Sequence, residues 1–199
     1  MWSAAAPRYR HRTDAPRRLQ SVLTDALAEM FQSAADERSV RAYSASLLGI
    51  GESAADAERA AEVEAMLEGM YLMAASDGEV ASDELLQLSA SLRAMLEAFQ
   101  DGSAAETALP LFRLNETLAK FEQALARDGV SARLEAIAAK LRTPEAACLA
   151  FSLAAAIAFV DDFVATGEAD AIDQFAQALG FEPEESQHLL REVHARLDD

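Results

Sequence analysis

Cysteine, proline, glycine and aromatic residues are all scarce in this chain of 199 residues. With Cys148 alone, the chain can form no internal disulfide and no metal site built from several thiolates. Strand-forming residues never alternate with polar ones over four or more positions, so no β-strand is predicted. The longest apolar run, residues 146–160, is too short to cross a bilayer, and the basic N-terminus lacks the apolar segment of a signal peptide. We therefore expect a cytoplasmic protein without membrane insertion.

Alanine and leucine dominate the apolar half of the chain, and this composition favours helices. Apolar residues recur at helical spacing, and Asp-Gly pairs or single glycines separate the periodic segments. We predict an all-α fold, a compact bundle of about nine helices with short connections. The predicted helices lie near residues 16–31, 40–48, 53–76, 85–99, 104–127, 131–141, 144–160, 167–179 and 183–197.

Charge divides the chain unevenly. Residues 1–20 carry five Arg and one Asp, a net charge of +4, whereas the other 179 residues carry 12 basic and 33 acidic residues, a net charge of −21. A body this acidic repels phosphate backbones, so we expect no nucleic-acid partner. Cations and basic protein surfaces suit it better. We interpret residues 1–52 as a basic tail followed by an N-terminal helical extension.

A short internal repeat relates residues 72–84 to residues 156–168 at an offset of 84. In both copies an almost wholly apolar helix ends at an Asp, and an amphipathic helix begins at a hydroxyl residue that can cap it. A Glu then lies in the first turn of that second helix, where the helix dipole favours an anion. The matched pairs are Asp77 with Asp161, Val80 with Val164, Ala81 with Ala165, Ser82 with Thr166, and Glu84 with Glu168.

Two helix–loop–helix units often pack about a pseudo-two-fold axis, which would bring four carboxylates together: Asp77, Glu84, Asp161 and Glu168. Carboxylates held together either raise their own pKa values or recruit a cation. Because all the ligands here are oxygens, the cation would be a hard ion such as Ca²⁺ or Mg²⁺. The loop is not an EF-hand, since its Glu follows the Asp by seven residues instead of eleven. A purely structural interpretation also accounts for the pattern, with the acids serving as helix caps and dipole partners.

The first motif, AASDGEV at residues 74–80 followed by Asp83 and Glu84, resembles a signature of the TerB (tellurite resistance protein B) family. The second half is similar to the family in order and spacing, through TPEAA at residues 143–147 and QALGFEP at residues 177–183. The resemblance covers about residues 58–190, and it implies a TerB-like helical domain over residues 53–199 with two related halves.

That resemblance implies a non-enzymatic bacterial module that binds a divalent cation (Ca²⁺, Mg²⁺ or Mn²⁺) in a stress-response system. It also implies protein partners, including a membrane-associated complex, and no organic cofactor. By position the ligands would be Asp77, Glu84, Asp161 and Glu168, with Glu79 and Asp83 as weaker candidates. The second loop departs from the family pattern at Asp162, Phe163 and Gly167. A helical interaction scaffold with a vestigial acidic site is therefore the alternative.

An enzyme is the least favoured interpretation. The chain has three histidines, and His188 and His194 lie six residues apart on an amphipathic helix, where they cannot share one face well. No nucleophile motif and no glycine-rich phosphate loop is present. We expect no catalytic residue.

Overall fold

The computed structural model describes residues 39, 42, 43, 45, 46, 53–76, 104–159 and 166–198, with backbone alone at 104–115, 166–168 and 197–198. This part of the chain contains six helices and no strand, which confirms the all-α prediction. None of these helices is both long and apolar enough to cross a membrane. The helices are α1 (Ala54–Ala74), α2 (Ala104–Asp128), α3 (Val130–Ala138), α4 (Pro144–Ala158), α5 (Thr166–Leu179) and α6 (Pro183–Asp198).

The six helices match six of the nine predicted ones to within a few residues at each end. The predicted helices near residues 16–31 and 85–99 lie outside the described residues, so the number nine stays a prediction. Of the predicted helix at 40–48, residues 42, 43, 45 and 46 are described and are helical.

Hydroxyl side chains begin the two central helices. Before α1, the Ser53 hydroxyl accepts a hydrogen bond from the Asp56 amide at 3.2 Å. Before α4, the Thr143 hydroxyl accepts one from the Ala146 amide at 3.1 Å, and Pro144 occupies the first helical position. Each hydroxyl satisfies an amide that has no partner within its helix. The helix start predicted at Thr143 and Pro144 is confirmed.

Glycine ends α5, as predicted. Gly180 has a φ of 77°, a left-handed conformation that glycine adopts without a Cβ clash. Its amide donates to the Gln177 carbonyl at 3.1 Å, and the Phe181 amide reaches back to the Ala176 carbonyl at 3.0 Å. These two bonds satisfy carbonyls that the end of the helix would otherwise leave without partners.

The core lies around α1 and α4, which share the most extensive contact between helices of the described residues. Every residue of α1 from Ala65 onward is buried, as are most residues of α4. Phe175 of α5 is fully buried, with its ring centroid 6.2 Å from that of Phe151 on α4. Tyr71 of α1 packs on Phe121 of α2, with 6.0 Å between the ring centroids. Helix α2 therefore packs on α1, whereas α5 packs on both α1 and α4.

Tyr43 belongs to this same core. Its side chain is 1% exposed and lies in the hydrophobic cluster that contains α1 and α4. Residues 42 and 43 fall in the predicted N-terminal extension, so part of that extension packs on the helical domain. The domain division between residues 52 and 53 stays a prediction.

Candidate functional site

The predicted metal ligands fall almost entirely outside the described residues. Only Glu168 is placed: it is the third residue of α5, where its backbone is described and its side chain is not. Among the side chains that the structure describes, no three His, Cys, Asp or Glu residues form a group that could hold a metal ion. The ligand set thus stays a prediction, as do the departures in the second loop; outside the described residues lie Asp77, Glu79, Asp83, Glu84, Asp161, Asp162 and Phe163.

The helix ends that precede the two acidic loops correspond closely. Helix α1 ends at Ala74 and α4 ends at Ala158, which is the offset of 84 found in the sequence repeat. The capping residues have nearly the same backbone angles, φ −97° and ψ 0° at Ala75 and φ −89° and ψ −3° at Phe159. Each capping amide donates to the carbonyl four residues earlier at 3.0 Å. Helices α1 and α4 therefore end with closely similar local backbone geometry.

The start of α4 lies beside the first turns of α1. The Arg142 amide donates to Glu62 Oε1 at 3.2 Å, and the Arg142 guanidinium lies 2.7 Å from Glu58 Oε2. If α4 ran antiparallel to α1, it would extend beyond the N-terminus of α1 after about two turns. It could then not cover the C-terminal half of α1, which is buried. Since these helices share the largest contact, we infer that they run in the same direction.

A second contact supports the parallel arrangement. The ring of Phe175 approaches both Gly69, where an added Cβ would lie 3.3 Å from it, and Phe151. Gly69 and Phe151 are 82 residues apart, close to the repeat offset. Helices α1 and α4 therefore stay in register along their length, and they end at the same end of the pair.

A buried ion pair that the sequence analysis missed joins the C-terminal half of α1 to α3. Glu68 is 1% exposed, and its Oε1 accepts hydrogen bonds from both Nε (2.7 Å) and Nη2 of Arg133 on α3. Lys140 Nζ lies 3.8 Å from Oε2 of the same carboxylate. Arg133 also donates from Nη1 to Asp128 Oδ2 at 3.3 Å. The signal in the sequence is a single charged residue within an apolar run, residues 65–75.

Asp128 is held from its other side by Arg127, whose Nε and Nη2 donate at 2.6 and 2.7 Å. These bonds, with the weaker contribution of Arg133, lower the pKa of Asp128 to about 2. The carboxylate is thus charged at any physiological pH, and it orients the guanidinium of Arg133 from the surface.

Cys148 is the single cysteine of the chain, and its surroundings favour the protonated thiol. It is half-buried on α4, and burial raises its pKa, with Glu185 and Glu145 adding to the shift in that order. A thiol that stays protonated is a poor nucleophile and a poor metal ligand. On the opposite end of α4, the His194 ring packs edge-on against Phe159 at 5.8 Å.

No protein-family model, curated protein or solved structure matches this chain. The resemblance to TerB therefore rests on the motifs at residues 74–84, 143–147 and 177–183 alone.

Proposed function

We propose that this chain is a non-enzymatic, TerB-like module that binds a divalent cation in a cytoplasmic stress-response system. Asp77 and Glu84 of the first loop, with Asp161 and Glu168 of the second, supply the ligands. The observation that carries the proposal is the matched pair of helix ends, Ala74 and Ala158, at the same end of the α1/α4 pair. Each ligand Asp follows its helix end by three residues.

The electrostatics of that end favour a cation. A helix carries the equivalent of about half a negative charge at its C-terminus. Two parallel helices that end together place both of these partial charges on one side of the core. The body of the protein adds a net charge of −21 over residues 21–199. Carboxylate oxygens next to such a field suit Ca²⁺, Mg²⁺ or Mn²⁺.

Calorimetric titration and thermal unfolding with each of these three ions test the proposal. At a free ion concentration of about 100 Kd, binding to the folded state adds about 2.7 kcal/mol, which raises the Tm by about 5 to 11 °C in a chain of this size. Asp77→Asn and Asp161→Asn should each reduce that shift. Glu145→Gln is the matched control, because Glu145 is exposed at the opposite end of α4. No heat and no Tm shift with any of the ions would refute the proposal.

An interaction scaffold with a vestigial site is the second candidate. The observation that favours it is the separation of a +4 tail from a −21 body, a pattern suited to protein partners or to a membrane-associated complex. Removing residues 1–20 tests it, since this deletion takes away the basic tail and stops well short of the buried Tyr43. If the chain is a scaffold, the shortened chain should lose partners that the full chain captures when excess EDTA removes divalent cations. An unchanged set of partners would contradict it.

A further inference from the structure

Glu68 is the only charged residue among the buried residues of the described part of the chain. It lies in the C-terminal half of α1, where all its neighbours from Ala65 to Ala75 are apolar or glycine. Transfer of a carboxylate from water to such a place is unfavourable unless it is both paired and hydrogen-bonded. Leucine in place of both Glu68 and Arg133 would fill much of the same space without that cost, so stability alone does not account for the pair.

The pair has a defined geometry that a leucine could not provide. Two nitrogens of the Arg133 guanidinium converge on one oxygen of Glu68, and the third nitrogen is held by Asp128 at 3.3 Å. The Arg133 side chain is 16% exposed, so solvent screens this pair far less than a surface ion pair. A planar, bonded guanidinium allows one orientation of α3 across α1, whereas apolar contacts tolerate sliding.

The second half of the chain lacks this pair. The residue 84 positions after Glu68 is Ser152, half-buried on α4. The ion pair therefore belongs to the half whose acidic loop keeps its motif intact. Glu68 precedes the end of α1 by six residues, or about 9 Å of helix. Any sliding or rotation of α1 at Glu68 would be carried to Ala74, where the first acidic loop begins.

We propose that the Glu68–Arg133 pair, oriented by Asp128, is a positioning device that fixes α1 against α3 and so sets where the first acidic loop begins. The pair determines the register of α1 more than the stability of the fold. Its consequence for cation affinity rests on the proposed function, whereas its consequence for the order of α1 does not.

Hydrogen exchange of matched variants of the full chain measures the order of α1, and ion titration of the same variants measures cation affinity. In Glu68→Met/Arg133→Met an apolar pair replaces the ion pair, and Arg133→Lys keeps the charge without the planar fork. The control is Arg59→Ala, which removes a partly exposed ion pair with Asp56 on the same helix. We expect amides 70–75 of α1 to exchange at least about tenfold faster in both test variants, with amides 150–158 of α4 unchanged. Mn²⁺ affinity should fall about tenfold, the usual size of an effect on groups that support metal ligands.

The outcomes are distinct. Unchanged exchange of amides 70–75 in both test variants overturns the inference, whatever happens to ion binding. Faster exchange in all helices alike, α4 included, also overturns it, because the pair would then be a general stabilising contact. If the double Met variant does not fold, Arg133→Lys decides by the same criterion. If the wild-type chain binds none of the ions, the proposed function fails, and the exchange measurement still decides the positioning role.

Discussion

Gly69 lies on α1 where α5 packs against it. Replacing it with alanine has two opposing effects on stability, a gain in helix propensity and a loss from overpacking. Alanine is favoured over glycine by about 1 kcal/mol within a helix. An added Cβ, however, would lie 3.3 Å from both Cε1 and Cζ of Phe175, a few tenths of an ångström inside ordinary van der Waals contact. Phe175 is fully buried and packs on Phe151, so its ring has little room to move. Overpacking of this kind costs about 1 to 3 kcal/mol.

We therefore expect Gly69→Ala to lower the free energy of unfolding by about 1 kcal/mol, with a fall in Tm of about 2 to 4 °C. Urea denaturation measures the change. The same substitution in the Phe175→Leu background should be stabilising, because the ring that it meets is gone, so the double-mutant cycle should give a coupling of about 1 to 2 kcal/mol. Ala126→Gly at an exposed position of α2 calibrates the helix propensity in this protein. If Gly69→Ala stabilises the wild-type chain and shows no coupling to residue 175, the packing argument is refuted.

Two further predictions concern a helix cap and a charged side chain. Thr143→Ala removes the hydroxyl that accepts a hydrogen bond from the Ala146 amide, and it should lower the free energy of unfolding by about 1 kcal/mol. Thr143→Ser keeps the hydroxyl and should not lower it. An equal loss of stability in both variants, measured by urea denaturation, would exclude the cap. The pKa of Asp128 is depressed to about 2 from its usual 3.8, chiefly by Arg127, so its stabilising contribution is complete above pH 3.8 and is lost as the pH falls through 2. The difference in unfolding free energy between wild type and Asp128→Asn should therefore shrink from pH 5 to pH 2, and a constant difference over that range would contradict this.

Local signals in the sequence were enough to predict where most helices begin. Thr143 and Pro144 define the start of α4, and Pro183 is likewise the first residue of α6, because a cap and a first-position proline both act within one turn. The ends were less predictable. The periodic pattern extends α3 to Leu141, but the helix ends at Ala138 because the amides of Lys140 and Leu141 bond three residues back, in a tighter turn. Apolar spacing does not distinguish such a turn from a continuing helix.

The ion pair between Glu68 and Arg133 shows what periodicity cannot supply. The two residues are 65 positions apart, and only the packing of α3 across α1 makes them neighbours. A charged residue in an apolar run indicates that a partner exists, but neither its identity nor its helix. The four predicted ligands were identified from an internal repeat, which is a different kind of sequence signal from a charge in an apolar run. A repeat predicts similar local geometry in two places, and the matched ends of α1 and α4 have that geometry.

The offset of 84 residues between the two sequence motifs is also the offset between the C-terminal ends of α1 and α4. A shared apolar pattern alone would allow helices of different length to end at unrelated points. Here α1 is six residues longer than α4, yet the extra residues are all at its N-terminus, so the C-terminal ends keep the spacing of 84. The spacing of 84 residues is thus kept at the C-terminal ends of α1 and α4, which the two acidic loops follow. Glu68 has no acidic counterpart at the equivalent position of α4, which is Ser152, so the two helices differ there although their ends keep the same spacing.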